Sequence, residues 1–474
     1  MNALSAVSVG ALSPERFRDL LGDGYEDVER GVELAREIFA GRVVWHINST
    51  AKGGGVVELL QSLLAYARGA GVDNRWAVIR GEPGFFEVTK RIHNRLHGSP
   101  GDGGGLGDRE RGIYEAALTD AAAELAEMVR PRDVVFLHDP QTAGMVEALD
   151  PTGATVVWRC HVGLDLPNDL ARDAWDFLRL YVEGADAFVF SRREYAWEGL
   201  DPDRIWVVPP SIDAFSPKNQ ELEELTARSI FARTGLGDGD APDKPTFVRM
   251  DGTPGRVDRR AEIDQDRLIP EGVPLVTQVS RWDRLKDPLG VIDGFARLPG
   301  SADAHLLLAG PSVADVADDP EGVEVLAEVR RRRLDLPAPV RERVHLACLP
   351  MDDVQENAAI VNAIQRRSDI VVQKSLAEGF GLTVAEAMWK SRAVIASRVG
   401  GIQDQVTDGE SGVLLDDPSD LGAYSEALAA LLGDPERRAR IGAAARARVE
   451  DRFLGTRHLI QYLELLAGLI DPTS

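Results

Sequence analysis

The sequence predicts an α/β protein made of two successive, doubly wound parallel-sheet domains. Three observations carry that expectation. Short apolar runs alternate with segments of helical period along nearly the whole chain, the alternation occurs twice, and a turn rich in proline, Pro209-Pro210-Ser211-Ile212-Asp213, separates the two halves. Ligands of such sheets bind outside the C-terminal ends of the strands, so the residues there and the cleft expected between the halves are the predicted site.

The length of 474 residues exceeds one ordinary core and suits two or three domains. An apolar share of 44% with 28% charged residues is that of a soluble globular chain. No run of about 18 apolar residues is present, so no membrane span is expected. The first ten residues lack a basic flank, which argues against a signal peptide, and the expected location is cytoplasmic. The two cysteines, Cys160 and Cys348, fit buried thiols of a reducing compartment and form no metal-ligand pattern. A net charge of −23 argues against nucleic acid or an anionic membrane as partner. It also means that a bound diphosphate needs local cations against an adverse overall field. The sequence does not fix the oligomeric state; a homodimer is compatible with it.

Taken in order, the first forty residues read as helix and connector, with Tyr25 to Phe39 helical. Arg42 to Ile47 reads as a buried strand that enters Asn48-Ser49-Thr50-Ala51-Lys52-Gly53-Gly54-Gly55, followed by a helix over Val56 to Ala70. Arg75 to Ile79 is a strand and Gly112 to Met128 a helix. Asp133 to Leu137 is a strand ending at His138-Asp139-Pro140-Gln141, and Thr155 to Arg159 one ending at Cys160-His161-Val162-Gly163. Ala187 to Phe190 and Ile205 to Val208 complete the half. Gly235 to Pro270, rich in Gly, Pro and charge, reads as an insertion or long loop. The second half has strands at Leu275 to Val279, His305 to Ala309, Val344 to Ala347, Ile370 to Val372, Ala393 to Ala396 and Gly412 to Leu415. Helices follow over Leu421 to Leu432, Glu436 to Phe453 and Thr456 to Ile470. Gly101-Asp102-Gly103-Gly104-Gly105 reads as a flexible linker loop.

The block Gln373-Lys374-Ser375-Leu376-Ala377-Glu378-Gly379-Phe380-Gly381-Leu382-Thr383-Val384-Ala385-Glu386-Ala387 is the most informative stretch. It sets Glu378 and Glu386 around a glycine-flanked turn where a strand gives way to a helix. If Leu382 opens that helix, Glu386 lies about one turn inside it and the N–H groups of Gly381, Leu382 and Thr383 are available to a phosphate. The dull alternative has Glu386 on a solvated face and Glu378 in a loop. Arg281 and Lys286, five apart after the second half's first strand, suit a diphosphate clamp, or else a surface turn salt-bridged by Asp283 and Asp287. Gly53, Gly54 and Gly55 suit an anion at a helix N-terminus, or simply a tight turn with positive φ; they form neither a phosphate-binding Walker loop nor a dinucleotide fingerprint. His161 can hydrogen-bond a hydroxyl or phosphate from a strand end, or be structural. His138, Asp139 and Gln141 suit a polyhydroxylated ligand, or ordinary loop polarity.

Together these motifs resemble the retaining glycosyltransferases of the GT-B fold, two Rossmann-like domains facing a central cleft, over nearly the whole chain. Trp158-Arg159-Cys160-His161, Leu137 to Gln141, Gly252-Thr253-Pro254-Gly255-Arg256-Val257-Asp258-Arg259-Arg260 and Gln278 to Pro288 are similar to the trehalose glycosyltransferring synthases within them. The Gly101–Gly107 run is more glycine-rich than that pattern. The resemblance implies an N-terminal acceptor domain over 1–212, a sugar-nucleotide domain over 213–455 and a last helix, 456–474, that crosses back to the first domain. It implies retaining transfer of glucose from a nucleoside diphosphate glucose to free glucose, reversibly giving α,α-trehalose. Arg281 and Lys286 would hold the diphosphate, with Gly381–Thr383 and Gly53–Gly55 assisting. Glu386 would bind ribose, Glu378 the donor glucose and His161 the donor sugar near its C6 hydroxyl, while His138, Asp139 and Gln141 line the acceptor side. No cofactor is implied and no resident metal; Mg2+ is at most stimulatory. Another acceptor (sucrose, glucosylglycerate or glycan synthesis), a sugar-nucleotide epimerase or a non-catalytic sugar-nucleotide binder are the readings left beside it.

Overall fold

A computed structural model describes residues 3–51, 54–237, 243–299, 303–313 and 320–470. They divide into two compact units. Unit 1 comprises Met1–Ser211 with Gly455–Ser474, and unit 2 is Ile212–Leu454.

Unit 1 is built on strands β1 (Leu4–Val7), β2 (Val43–Asn48), β3 (Asp73–Ile79), β4 (Val134–His138), β5 (Thr155–Cys160), β6 (Ala187–Phe190) and β7 (Ile205–Val207), in the order β1-β3-β2-β4-β5-β6-β7. All neighbours run parallel except β1, which pairs antiparallel with β3. The central strands are buried on both faces, and period two sorts their side chains. Trp45, Ile47, Leu137 and Trp158 join one core with Phe85 and Tyr114. Val44, Phe136 and Val157 join another with Tyr462, Leu465 and Leu466 of the last helix, Gly455–Leu469. That helix belongs to unit 1 because its apolar face completes this second layer.

Unit 2 has strands β8 (Thr246–Val248), β9 (Pro254–Arg256), β10 (Glu262–Asp264), β11 (Leu275–Val279), β12 (His305–Pro311), β13 (Val344–Leu349), β14 (Ile370–Gln373), β15 (Ala393–Ser397) and β16 (Val413–Leu415). Its main sheet has the order β10-β13-β12-β11-β14-β15-β16, with β10 antiparallel and the rest parallel. Without β10 this is the doubly wound order in which the strand order reverses between the first and fourth strands, β11 and β14.

Three sequence expectations change. The first forty residues are not all helix and connector, because Leu4–Val7 adds an edge strand to β3. The stretch Gly235 to Pro270 is not all loop: β8 and β9 form a two-stranded ribbon, and β10 extends the main sheet. The loop at Gly101 is pinned, since Arg91 donates to both Asp102 carboxylate oxygens (2.8 and 2.8 Å) and to Gly105 O (2.8 Å), and Arg95 donates to Gly104 O (2.6 Å). Among the described residues no helix is long and apolar enough to cross a membrane. Cys160 and Cys348 are buried and unpaired.

Candidate active site

The two loops at the unit 2 switch point carry the candidate residues. Arg281 and Lys286 follow β11, and Glu378 follows β14. Leu376 N–H donates to Leu285 O (2.8 Å) and joins the loops directly. Gln278 on β11 donates to Lys286 O (2.7 Å). Asp283 caps the short turn by accepting from Leu285 N–H (2.8 Å). Asp287 caps the helix Pro288–Phe295 through Gly290 N–H (3.0 Å) and also accepts from the buried ammonium of Lys374. So fixed, Lys286 Nζ lies 2.6 Å from Glu378 Oε2, with side chains 16% and 12% exposed. Gln373 Nε2 (3.4 Å) and Ser375 Oγ (3.3 Å) donate to the same carboxylate oxygen. Arg281 is exposed and meets Asp283 at 3.4 Å.

The helix Leu382–Trp389 begins as the spacing predicts. Gly381 is its N-cap at φ 84°, where a Cβ would meet Ile402 Cγ1 at 3.0 Å and Glu378 Cγ at 3.2 Å. Gln405 holds the turn by donating to the carbonyls of Phe380, Gly381 and Gly401. The first-turn N–H groups of Leu382 and Thr383 have no intrahelical acceptor by geometry, which makes this end attractive to an anion. Glu386 lies on the inner side of the helix, 4% exposed, with Lys218 at 3.7 Å. Lys390, also buried, donates to Glu386 O (3.1 Å) and Asn219 Oδ1 (2.9 Å). Burial drives the Lys390 ammonium well below its ordinary range, with Glu386 opposing that shift.

In unit 1, Gly54 caps the helix Gly55–Gly69 at φ 84°, and both glycines are exposed, so the backbone is open to a ligand there. Gly53 lies outside the described residues. Asp139 follows β4 at φ 63° and accepts from His161 N–H (2.7 Å), which ties the ends of β4 and β5 together. Burial pushes its carboxyl up to about 6. Gln141 sits partly exposed in the short turn Pro140–Met145. His138 departs from the expected acceptor role. It is 1% exposed, and both ring nitrogens face other imidazoles, Nε2 toward His46 Nδ1 (3.1 Å) and Nδ1 toward His161 Nε2 (3.4 Å). A side chain so enclosed supports His161 and does not itself line a ligand surface. His161 retains 9% exposure.

Several partners were not singled out from the sequence: Gln373 and Ser375 on Glu378, Gln278 under Lys286, Lys218 beside Glu386, and His46 behind His138. Their roles depend on register and loop contact. One available signal was composition, since the chain has only seven lysines, and Lys218, Lys286, Lys374 and Lys390 all lie in this part of unit 2.

The family description "Trehalose synthase, N-terminal domain" matches residues 46–197, and "Glycosyl transferases group 1" matches residues 259–448. The trehalose synthase of Pyrococcus horikoshii is 34% identical over 483 residues, covering 99% of each chain. That of Rubrobacter xylanophilus is 37% identical over 441 residues, covering 92% of this chain and 93% of its own. A solved α,α-trehalose-phosphate synthase (UDP-forming) from Burkholderia vietnamiensis superposes with a TM-score of 0.66 at 14% identity, covering 91% of this chain and 98% of its own. Fold and matched regions together define a glycosyltransferase of the GT-B fold. The chain belongs to the trehalose synthase family.

Proposed function

We propose that this enzyme transfers glucose, with retention, from a nucleoside diphosphate glucose to free glucose, giving α,α-trehalose in a reversible reaction. The observation that carries the reading is the Lys286–Glu378 pair at the unit 2 switch point, beside the open N-terminus of the helix Leu382–Trp389. A cation there stabilises charge as it develops on the departing diphosphate, which is where it accelerates the reaction most. Arg281 and the N–H groups of Gly381, Leu382 and Thr383 complete the anion site. Glu386 takes ribose hydroxyls, with Lys218 as its neighbouring cation. Glu378 takes glucose hydroxyls. In unit 1, the roles proposed are a sugar hydroxyl for His161, the acceptor for Asp139 and Gln141, and the donor for Gly53, Gly54 and Gly55.

Retention by double displacement needs a free carboxylate nucleophile with a second carboxyl about 5 Å away. Glu378 Oε2 is instead engaged by Lys286, Gln373 and Ser375, which favours transfer on one face. The new C1–O bond forms on the side from which the diphosphate leaves, and the acceptor's hydroxyl proton passes to the departing phosphate oxygen. The reaction is proposed to need no cofactor, with Mg2+ stimulatory at most.

Incubation with a panel of glucose nucleotides plus glucose, with products read by NMR, tests the reading. An α,α-1,1-linked disaccharide and free nucleoside diphosphate in equal amounts, still formed when a chelator is present, are expected. Product only with another acceptor, or glucose release from trehalose only with inorganic phosphate, replaces it.

A further inference from the structure

The loop after β11 and the loop after β14 are joined at successive points. Lys374 donates from its ammonium to Asp287 Oδ2, Leu376 N–H donates to Leu285 O at 2.8 Å, and Lys286 Nζ lies 2.6 Å from Glu378 Oε2. The two ion pairs run in opposite senses, and on the β14 loop they stand two residues to either side of Leu376. They differ in their access to water. Lys286 and Glu378 keep 16% and 12% exposure, whereas Lys374 has none. Lys374 Nζ also donates to Pro418 O, beyond β16, so one buried cation ties three loops at the C-terminal ends of the unit 2 strands.

A buried ion pair adds little stability by itself, because its desolvation cost rivals its attraction. What this pair supplies is direction. Asp287 stands at φ 48°, a left-handed conformation that aspartate tolerates but does not favour. Its Oδ1 accepts from Gly290 N–H (3.0 Å) at the start of the helix Pro288–Phe295, and its Oδ2 accepts from Lys374. With both oxygens engaged the residue is held from two sides. Lys286 precedes it directly, and its own carbonyl accepts from Gln278 (2.7 Å).

We propose that Lys374 is a positioning residue which, through Asp287, holds Lys286 in place when a diphosphate draws the Lys286 ammonium away from Glu378. The outer ion pair is the exchangeable one, and the buried pair keeps the two loops in register while the outer one opens. The identity of the anion rests on the proposed function; the tie between the loops does not.

Lys374→Met removes the charge at nearly the same volume, and Asp287→Asn keeps both the helix cap and the tolerance of left-handed backbone. In either variant kcat should fall about thirtyfold while the KM for donor changes less than about threefold, as expected of a displaced group that acts on the transition state. The double variant should lose no more than the worse single one. Hydrogen exchange, read on peptides covering residues 374–380, should show the Leu376 amide opening about tenfold faster in each variant. Asp287→Asn with kcat within threefold of the parent overturns the proposal, as do additive losses or an unchanged Leu376 amide. A loss confined to the melting temperature also overturns it and leaves Lys374 to the fold alone. If Lys374→Met does not fold, Asp287→Asn decides by the same readings. Exchange as expected from a protein that transfers no glucose leaves the tie standing and removes the proposed reaction instead.

Discussion

Lys286 and Glu378 are each other's counter-ion, 2.6 Å apart and mostly shielded from water. A diphosphate competes for that ammonium, and the carboxylate keeps Gln373 and Ser375 when the ammonium turns away. The pair is thus built to open without leaving a bare buried charge. Lys286→Ala should lower kcat/KM by about 100- to 1000-fold, the usual effect of deleting one stabiliser of developing charge. Its melting temperature should change little, because Glu378 retains two donors. Lys286→Arg should not restore the rate, since a planar fork replaces a compact point charge on a shorter reach. Steady-state kinetics alongside thermal melts check this; a Lys286→Ala enzyme within tenfold of the parent rate removes the clamp from the reaction.

The turn from β14 into the helix Leu382–Trp389 acts as one element. Gly381→Ala puts a Cβ where φ is 84°, 3.2 Å from Glu378 Cγ. A loss of about 1–2 kcal/mol in stability is expected from the left-handed backbone alone. Activity should fall further than that loss explains, because relief of the contact moves Glu378; urea denaturation set against kcat separates the two. This turn was legible because glycine, strand end and carboxylate fall within one local stretch. The parallel strands were legible for a similar reason, being buried on both faces and so written as continuous apolar runs such as Val134–Leu137. β1 was not legible: Leu-Ser-Ala-Val is a strand because β3 offers it an edge, a pairing of residues some seventy positions apart. β8 and β9, three residues each with Pro254 and Gly255 among them, read as loop for want of length. His138 misled for the opposite reason: its position at a strand end suggested a ligand surface, and the imidazoles on either side that enclose it come from β2 and the end of β5.

At the scale of the whole molecule, neutral buried histidine is a recurring choice. Burial lowers His46 to about 3, His305 to about 4 and His345 to about 3, and lowers His138, His161 and His458 well below the ordinary 6.5. Above pH 6.5 both folded and unfolded chains hold these rings neutral, and no linkage arises. Below it the unfolded chain takes up protons that the buried native rings refuse until well below that pH, so stability falls with pH at about 1.4 kcal/mol per unit for each ring. Asp139, raised to about 6, works the other way: the native carboxyl is protonated between 3.8 and 6 while the unfolded one is not, which stabilises the fold as pH drops, but for one group against six. Four of the six rings lie in unit 1 and two, His305 and His345, in unit 2. With Asp139 also in unit 1 and opposing its four rings, unit 1 should lose stability about one and a half times as steeply between pH 6 and 4.5, and acid should separate its melting transition from that of unit 2. Calorimetry across that range, in buffers of different ionisation enthalpy, measures proton uptake on unfolding directly. Uptake near five protons at pH 5, most of it in the earlier transition, is the expected result; uptake near zero places these imidazoles in contact with water and removes the acid sensitivity.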